Sequence, residues 1–422
     1  MTTEPRDAAT TAPNGWTRGL RLLPRTVWAL GWVSLLTDAA TDMIYPLLPE
    51  LLARVGATAV ALGVMEGLAE LVSAVLKIWS GNAVDRGRSP KGMVVGGYFL
   101  SSAARPLMAF ARAGWLLVGL RVIDRLGKGI RGAPRDAILA GATQPGQRGL
   151  AFGVHRAMDN MGAFIGGGMS FILLGAAHLP LDTVVLISVV PGLASTAVAL
   201  LFVEKPERSH PPPLAAKVPS PAETPTEAAQ PATPAVRLPL PRSVKVALAV
   251  FALFALSASA DSFLMAHITK LGLSLYLVPL AWISLQLAKS ALNVPGGALA
   301  DRVGPRRVVA ASYVVYGLSY FAFAFVASPW VFWGLLPVYA FYYGFGEGAE
   351  RALLVRLAPK ALRGRTLGRA NAVQGACLLP ANVGFGFLYV WRPALAFEVT
   401  GGIAVLAALV FVLVVGEGDH AD

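Results

Sequence analysis

Ionisable side chains recur at helical spacing inside stretches that are otherwise apolar. Asp38 and Asp42 are four residues apart, and Tyr45 follows three later. Positions i, i+4 and i+7 share a helix face, so the three make one polar stripe. Glu66 and Glu70 repeat the spacing, with Lys77 seven residues on. Arg121, Asp124, Arg125 and Lys128 form a third stripe, and His155, Arg156, Asp159 and Asn160 a fourth group. Each such residue at mid-membrane costs about 2.5–3.5 kcal/mol, so it is expected to face a partner or a cavity. Two carboxylates four residues apart repel, and a pair that can share a proton suits proton exchange. The simplest arrangement turns the acidic stripes toward the basic one, either as proton or solute machinery or as a static ion-pair network holding helices together. Arg125, about 15 Å into its stretch, is expected to be the mid-membrane cation, with Asp124 and a carboxylate of the first or second stretch as partners. Further along, Lys289 and Glu347 are read as partners across a cavity.

These residues must be held by membrane-spanning helices. The chain has 422 residues, 55% of them hydrophobic and only 14% charged, against about 25% charged in soluble domains. Runs of about 20 apolar residues, enough to span a bilayer, lie near 27–51, 58–80, 91–111, 115–135, 149–176 and 181–203. A second set lies near 243–268, 276–299, 307–327, 329–355, 366–391 and 394–415. The expected fold is an all-α integral membrane protein of about twelve transmembrane helices in two groups of six. The flanks are a tail at 1–26, a Pro-rich linker at 204–242 and a tail at 416–422. A single cysteine excludes a disulfide framework or a Cys-based metal site. His155, Met158 and Met161 would suit a soft metal, but methionine stripes are more often packing, and no metal or cofactor is expected. No metalloprotease, phosphate-loop or Cys–His signature is present, so the chain is not read as an enzyme.

Net charge is +12, carried in short gaps between apolar runs rather than on one stripe, which argues for membrane topology and not for nucleic acid. Alternate gaps are basic: Arg86, Arg88 and Lys91; Arg131, Arg135 and Arg148; Arg302, Arg306 and Arg307; Arg356, Lys360, Arg363 and Arg365. By the positive-inside rule these face the cytoplasm, with both termini and the linker.

An internal repeat links the two groups. Gly81, Asp85 and Arg86 recur 216 residues on as Gly297, Asp301 and Arg302, and Gly132-Ala133-Pro134-Arg135 recurs as Gly348-Ala349-Glu350-Arg351. The shared offset implies one architecture for both halves. A Gly-x-x-x-Asp-Arg turn after the second and eighth helices resembles the signature loop of the major facilitator superfamily (MFS). The first copy departs from the pattern, because Gly87 directly follows Arg86. Gly81 and Gly297 are expected to allow close helix approach, and Asp85 to pair with Arg131 or Arg135. The stretch from Arg125 to Ala133 is similar in part to the fourth-helix motif of proton-linked members. Gly153, Gly162 and Gly166 are spaced like the glycine motif of drug:proton antiporters, with Gly167 where that motif has proline.

The resemblance implies two pseudo-symmetric halves rocking about a central site, and loops that latch a cytoplasmic gate: Gly81, Asp85, Arg86 and Arg135, with Gly297, Asp301 and Arg302. The expectation is a proton-coupled secondary transporter of a small solute, monomeric, multi-pass in the plasma (inner) membrane. Sodium coupling, a non-transporting sensor or scaffold, and a lipid-handling protein are the alternatives. The proton-pathway and substrate candidates are Asp38, Asp42, Glu66, Glu70, Arg121, Asp124, Arg125, Asp159, Lys289 and Glu347.

Overall fold

The computed structural model describes residues 20, 22–144, 147–204, 240–359 and 362–416. Most of the N-terminal tail and of the linker, the end of the chain, and Lys360 lie outside the described residues. The regular structure described is all helical. In the first half it comprises α1 (Arg25–Asp42), α2 (Leu48–Arg54), α3 (Ala59–Asp85), α4 (Pro90–Leu107), α5 (Gly114–Gly141), α6 (Arg148–Gly175), α7 (Leu181–Ile187) and α8 (Val189–Phe202). The second half comprises α9 (Arg242–Ala255), α10 (Asp261–Lys270), α11 (Val278–Val303), α12 (Pro305–Phe325), α13 (Pro329–Leu357), α14 (Arg363–Trp391) and α15 (Pro393–Val414). These make twelve rods, six in each half, because α1–α2, α7–α8 and α9–α10 are each one rod broken once.

Each break has a local cause. Pro46 and Pro49 lack the N–H that would continue α1, so the chain passes through a short 3₁₀ turn at Tyr45–Leu47. Pro191 likewise removes a helical donor just beyond the break at Ser188. The gap between α9 and α10 exposes backbone groups that lipid cannot satisfy, so side chains from other rods take them. The Tyr316 hydroxyl donates to the Ser257 carbonyl at 3.1 Å, and the Ala260 N–H donates to Asn382 Oδ1 at 2.7 Å.

Seven rods are long and apolar enough to cross a membrane by length and composition alone. The remainder are broken or diluted by charged and aromatic residues. Large apolar side chains such as Trp115, Phe325, Trp391 and Leu413 point outward and exposed, as a lipid-facing surface requires.

Within the first half α1 packs on α6 and α8, and α5 on α3 and α4; within the second, α11 packs on α13 and α12 on α15. Gly162 and Gly166 of α6 press directly on α1, where a methyl would strike the Leu35 and Ala39 carbonyls. These glycines therefore serve close packing. The halves meet through α3 against α14 and α6 against α11. These contacts start at the end remote from the basic loops, where Gly63 lies on the Asn382 backbone, Gly386 on Ala59 and Gly167 on Ile283, and along α3 they reach Ala74 against Gly375.

Candidate functional site

A cavity of about 620 Å³ lies between the halves. Tyr45 and Trp282 stand at its closed end, where the halves touch. Lys77, Arg135 and Arg156 line it toward the basic loops. Its wall comes almost entirely from the first half, and Trp282 and Gln286 are the second half's share.

Behind that wall is a buried ionic lattice. Arg105 Nε donates to Asp124 Oδ1 at 2.9 Å. Arg121 Nη1 donates to the other oxygen of Asp124 at 3.3 Å, and Arg125 Nε lies 3.2 Å from it. Arg121 also forks onto Glu66, with Nε–Oε1 at 3.2 Å and Nη2–Oε2 at 3.4 Å. All five side chains are at least nine-tenths buried. Three guanidinium groups share two carboxylates, so the lattice carries one surplus positive charge, and Arg121 and Arg125 present it to the cavity.

Arg105 carries no mark in the sequence of its place in this lattice. It is an isolated charge in its stretch, with its partner 19 residues later on another rod, so no periodic signal marks it. Of the expected pairings, Arg125 with Asp124 forms, while the carboxylate of the second stretch, Glu66, goes to Arg121.

Other candidates stand on the cavity wall. Asp42 accepts from the Trp282 indole at 2.9 Å, a hydrogen bond that joins the two halves. Trp282 stacks obliquely on Tyr45 at 4.7 Å, and the Arg121 guanidinium lies 5.1 Å from the Tyr45 ring. Asp38 and Glu70 line the cavity with no cation within 4 Å among the described residues. Asp159 lies 3.5 Å from His155 Nδ1. Lys77, Lys128 and Arg156 are exposed to the cavity and have no carboxylate within 4 Å among the described residues. Arg131 is buried, donating to Ser101 Oγ at 2.8 Å beneath the Tyr98 ring.

The pairing of Lys289 with Glu347 is corrected. Lys289 pairs with Asp261, which also accepts from the Tyr339 hydroxyl at 2.9 Å, and the ammonium lies 3.6 Å from the Tyr343 ring centre. Glu347 sits exposed and pairs with Arg351 one turn on, at 2.6 Å. A local i,i+4 partner on a solvated surface wins over one that would cross the bundle. The buried acid of that region is Glu350, held by Tyr313 and Gln374.

The gate loops are also revised. Asp85 is exposed and has no ion-pair partner among the described residues, because Arg135 pairs with its neighbour Asp136 at 2.9 Å. Arg86, Asp301 and Arg302 are exposed too. A methyl on Gly81 would meet the Ala133 methyl at ordinary van der Waals distance, 3.5 Å, but a methyl on Gly297 would meet nothing within 4 Å. The close approach in the second half falls one residue earlier, where Gly296 lies on the Gly344 carbonyl. Gly87, the departure from the expected loop, has a structural explanation. It takes φ +84 and closes α3 through Gly87 N–H to Val84 and Arg88 N–H to Ala83, a Schellman end that needs a left-handed residue. Gly304 takes φ +92 at the matching turn. Both loops thus turn on a left-handed glycine, and the first reaches it one residue sooner.

Twelve helical rods in two halves around a polar cavity define a multi-pass membrane transporter. The sequence matches the family profile of the Major Facilitator Superfamily over residues 30–376 and again over 280–421. It is 30% identical over 406 residues to an uncharacterized MFS-type transporter of Methanocaldococcus jannaschii, covering 93% of this chain and 96% of that one. The chain belongs to the Major Facilitator Superfamily. Among solved structures, the fold is similar to the nucleoside transporter NupG (TM-score 0.74, 11% identity, 92% of this chain and 99% of that one). It is also similar to a POT peptide transporter (TM-score 0.71, 16% identity, 94% and 97%).

Proposed function

We propose that this protein carries a small anionic solute across the membrane by alternating access, with protons as the coupling ion. One observation carries the reading: seven basic and four acidic side chains line the cavity, and three of the basic ones, Lys77, Lys128 and Arg156, have no carboxylate within 4 Å among the described residues. A cation on the wall of a cavity sunk in the membrane, with low-dielectric surroundings behind it, stabilises an anion more than one in bulk water. The lattice behind adds its own surplus positive charge.

Asp38 and Glu70 support proton coupling. They share the wall with Lys128 and are not locked in ion pairs. An anion on Lys128 brings a second negative charge toward those carboxylates, so anion and proton bind cooperatively, and by linkage each raises the affinity for the other. That favours co-transport over exchange. By the positive-inside rule the basic loops support a cytoplasmic open end and cytoplasmic termini, the proposed membrane being the plasma membrane, and a cavity lined by one chain supports a monomer. No catalytic step is assigned, and the bound solute leaves unchanged.

The test uses purified full-length protein in liposomes. Thermal stabilisation by a panel of carboxylates, phosphate esters and sulfates is compared with matched amines and neutral solutes. The hit is then followed for uptake under an imposed pH gradient, with and without a protonophore. The expected result is an anion as ligand, uptake abolished by the protonophore, and at least tenfold weaker binding in Lys128→Gln. Stabilisation by amines with Lys128→Gln unaffected would overturn the anion assignment, and uptake indifferent to the protonophore would remove the proton.

A further inference from the structure

Beside the polar cavity is a second space of about 450 Å³ between α6 and α11. The two rods run antiparallel and touch where Gly167 meets Ile283, a methyl there falling 2.6 Å from the isoleucine. From that contact they diverge toward the basic loops, and the wedge between them is the slot. Ala157, Asn160, Met161 and Phe164 of α6 stand at i, i+3, i+4 and i+7, and Ile283, Gln286, Leu287 and Ser290 of α11 stand at the same spacing, so each rod offers one face. Met161, Phe164 and Leu287 are about half exposed on the lipid-facing surface.

The slot and the cavity are continuous. Asn160, Ala163 and Gln286 line both. These residues form a boundary, with the charged wall of Lys128 and Arg156 on one side and apolar side chains open to the bilayer on the other. One molecule that fits both has a negatively charged head and an apolar tail. Resting on the anion reading above, we propose that the substrate is an amphiphilic anion whose head sits on Lys128 and Arg156 while its tail lies in the α6–α11 slot, entering sideways from the membrane. A charged head need not then cross the hydrocarbon unaided, and the tail stays solvated by apolar side chains throughout. The continuity with the anion site commits the slot to the substrate's own tail. A bilayer acyl chain resting there is the competing occupant.

The test measures binding of n-alkyl sulfates from ethyl to octyl, with octanol as the uncharged control, to full-length protein in lipid nanodiscs. In the unaltered protein, affinity is expected to rise up to roughly fourfold per added methylene until the slot is full. Ser290→Phe and Ala157→Phe fill the slot from residues that do not line the cavity. Both are expected to bind ethyl sulfate as before and to lose the dependence on chain length. Binding of ethyl sulfate with no gain from longer chains would overturn the proposal, leave the anion reading standing and assign the slot to bilayer lipid. A chain-length gain that persists in both filled variants would place the tail elsewhere and also overturn it. Octanol binding as well as octyl sulfate would instead sink the anion reading, and this inference with it.

Discussion

In the first half Asp124 is shared by three guanidinium groups at 2.9, 3.3 and 3.2 Å. In the second half the corresponding interior is aromatic: Phe254 stacks on Tyr313 at 3.6 Å, and Tyr316 on Tyr320 at 4.4 Å, with Tyr339 and Phe323 packed around them. The halves share a repeat in sequence and a fold, yet one is built around a shared ionic lattice and the other chiefly around rings and hydroxyls, with the Lys289–Asp261 pair at its edge. The difference shows in the cavity wall, which is built from the ionic half and merely closed by the aromatic one. A charged lattice fixes rods whose polar faces line the cavity. An aromatic interior needs no such partner, and on the proposed alternating-access reading it is the block against which the other half rocks.

The largest effect is expected from Asp124→Asn. The substitution keeps shape but removes the negative charge that Arg105, Arg121 and Arg125 share, leaving Glu66 to balance three buried cations. Breaking a buried ion pair from one side costs about 3–5 kcal/mol. The expected outcome is loss of the monodisperse peak in size-exclusion chromatography after detergent extraction, or a large fall in unfolding temperature. A variant that purifies and melts like the unaltered protein would show that the lattice does not hold the first half together.

A smaller change probes the joint between the halves. Trp282→Phe keeps the ring against Tyr45 but removes the donor to Asp42. A hydrogen bond to a charged acceptor contributes about 1.5–3 kcal/mol. Because this one crosses the halves at the closed end of the cavity, its loss shifts the balance away from the conformation described here by roughly tenfold or more. Spin-label distances between the loop after α3 and the loop after α11 would read it, with a shorter-distance population growing in the variant. An unchanged distance distribution would mean that the Asp42–Trp282 bond does not bias the rocking motion.

Legibility in the sequence followed the range of the interaction. The twelve rods were legible because a spanning helix advertises itself within 20 residues, and the stripe Arg121–Lys128 because its members share one helix face. The repeat offset was legible because both loops make the same turn, on a left-handed glycine, at the matching place in each half. Arg105 was not, since its significance lies in Asp124 on the next rod. Lys289 was assigned to Glu347 on sign alone, when Asp261, 28 residues upstream, was brought to it by the break between α9 and α10. Analogy with Gly81 points to Gly297 as a packing glycine, but the close contact in the second half falls on Gly296. The shortened loop at Gly87 showed its purpose only through a backbone angle.

The finest test of the contrast is Tyr316→Phe. The Tyr316 hydroxyl donates to the Ser257 carbonyl and lies 3.3 Å from the Ser259 N–H, so it ties α12 to the broken backbone between α9 and α10. The ring itself is fully buried, against Tyr320 at 4.4 Å, Tyr342 at 4.8 Å and Phe254 at 5.2 Å. Phenylalanine keeps all of that packing and loses two neutral hydrogen bonds, each worth about 1 kcal/mol. If the second half is held chiefly by its rings, Tyr316→Phe should purify normally, melt a few degrees lower at most and leave uptake intact, in contrast to Asp124→Asn. Should it instead abolish folding as Asp124→Asn does, the hydroxyl network over the break would be as decisive as the ionic lattice, and the second half could not act as the passive block against which the first one moves.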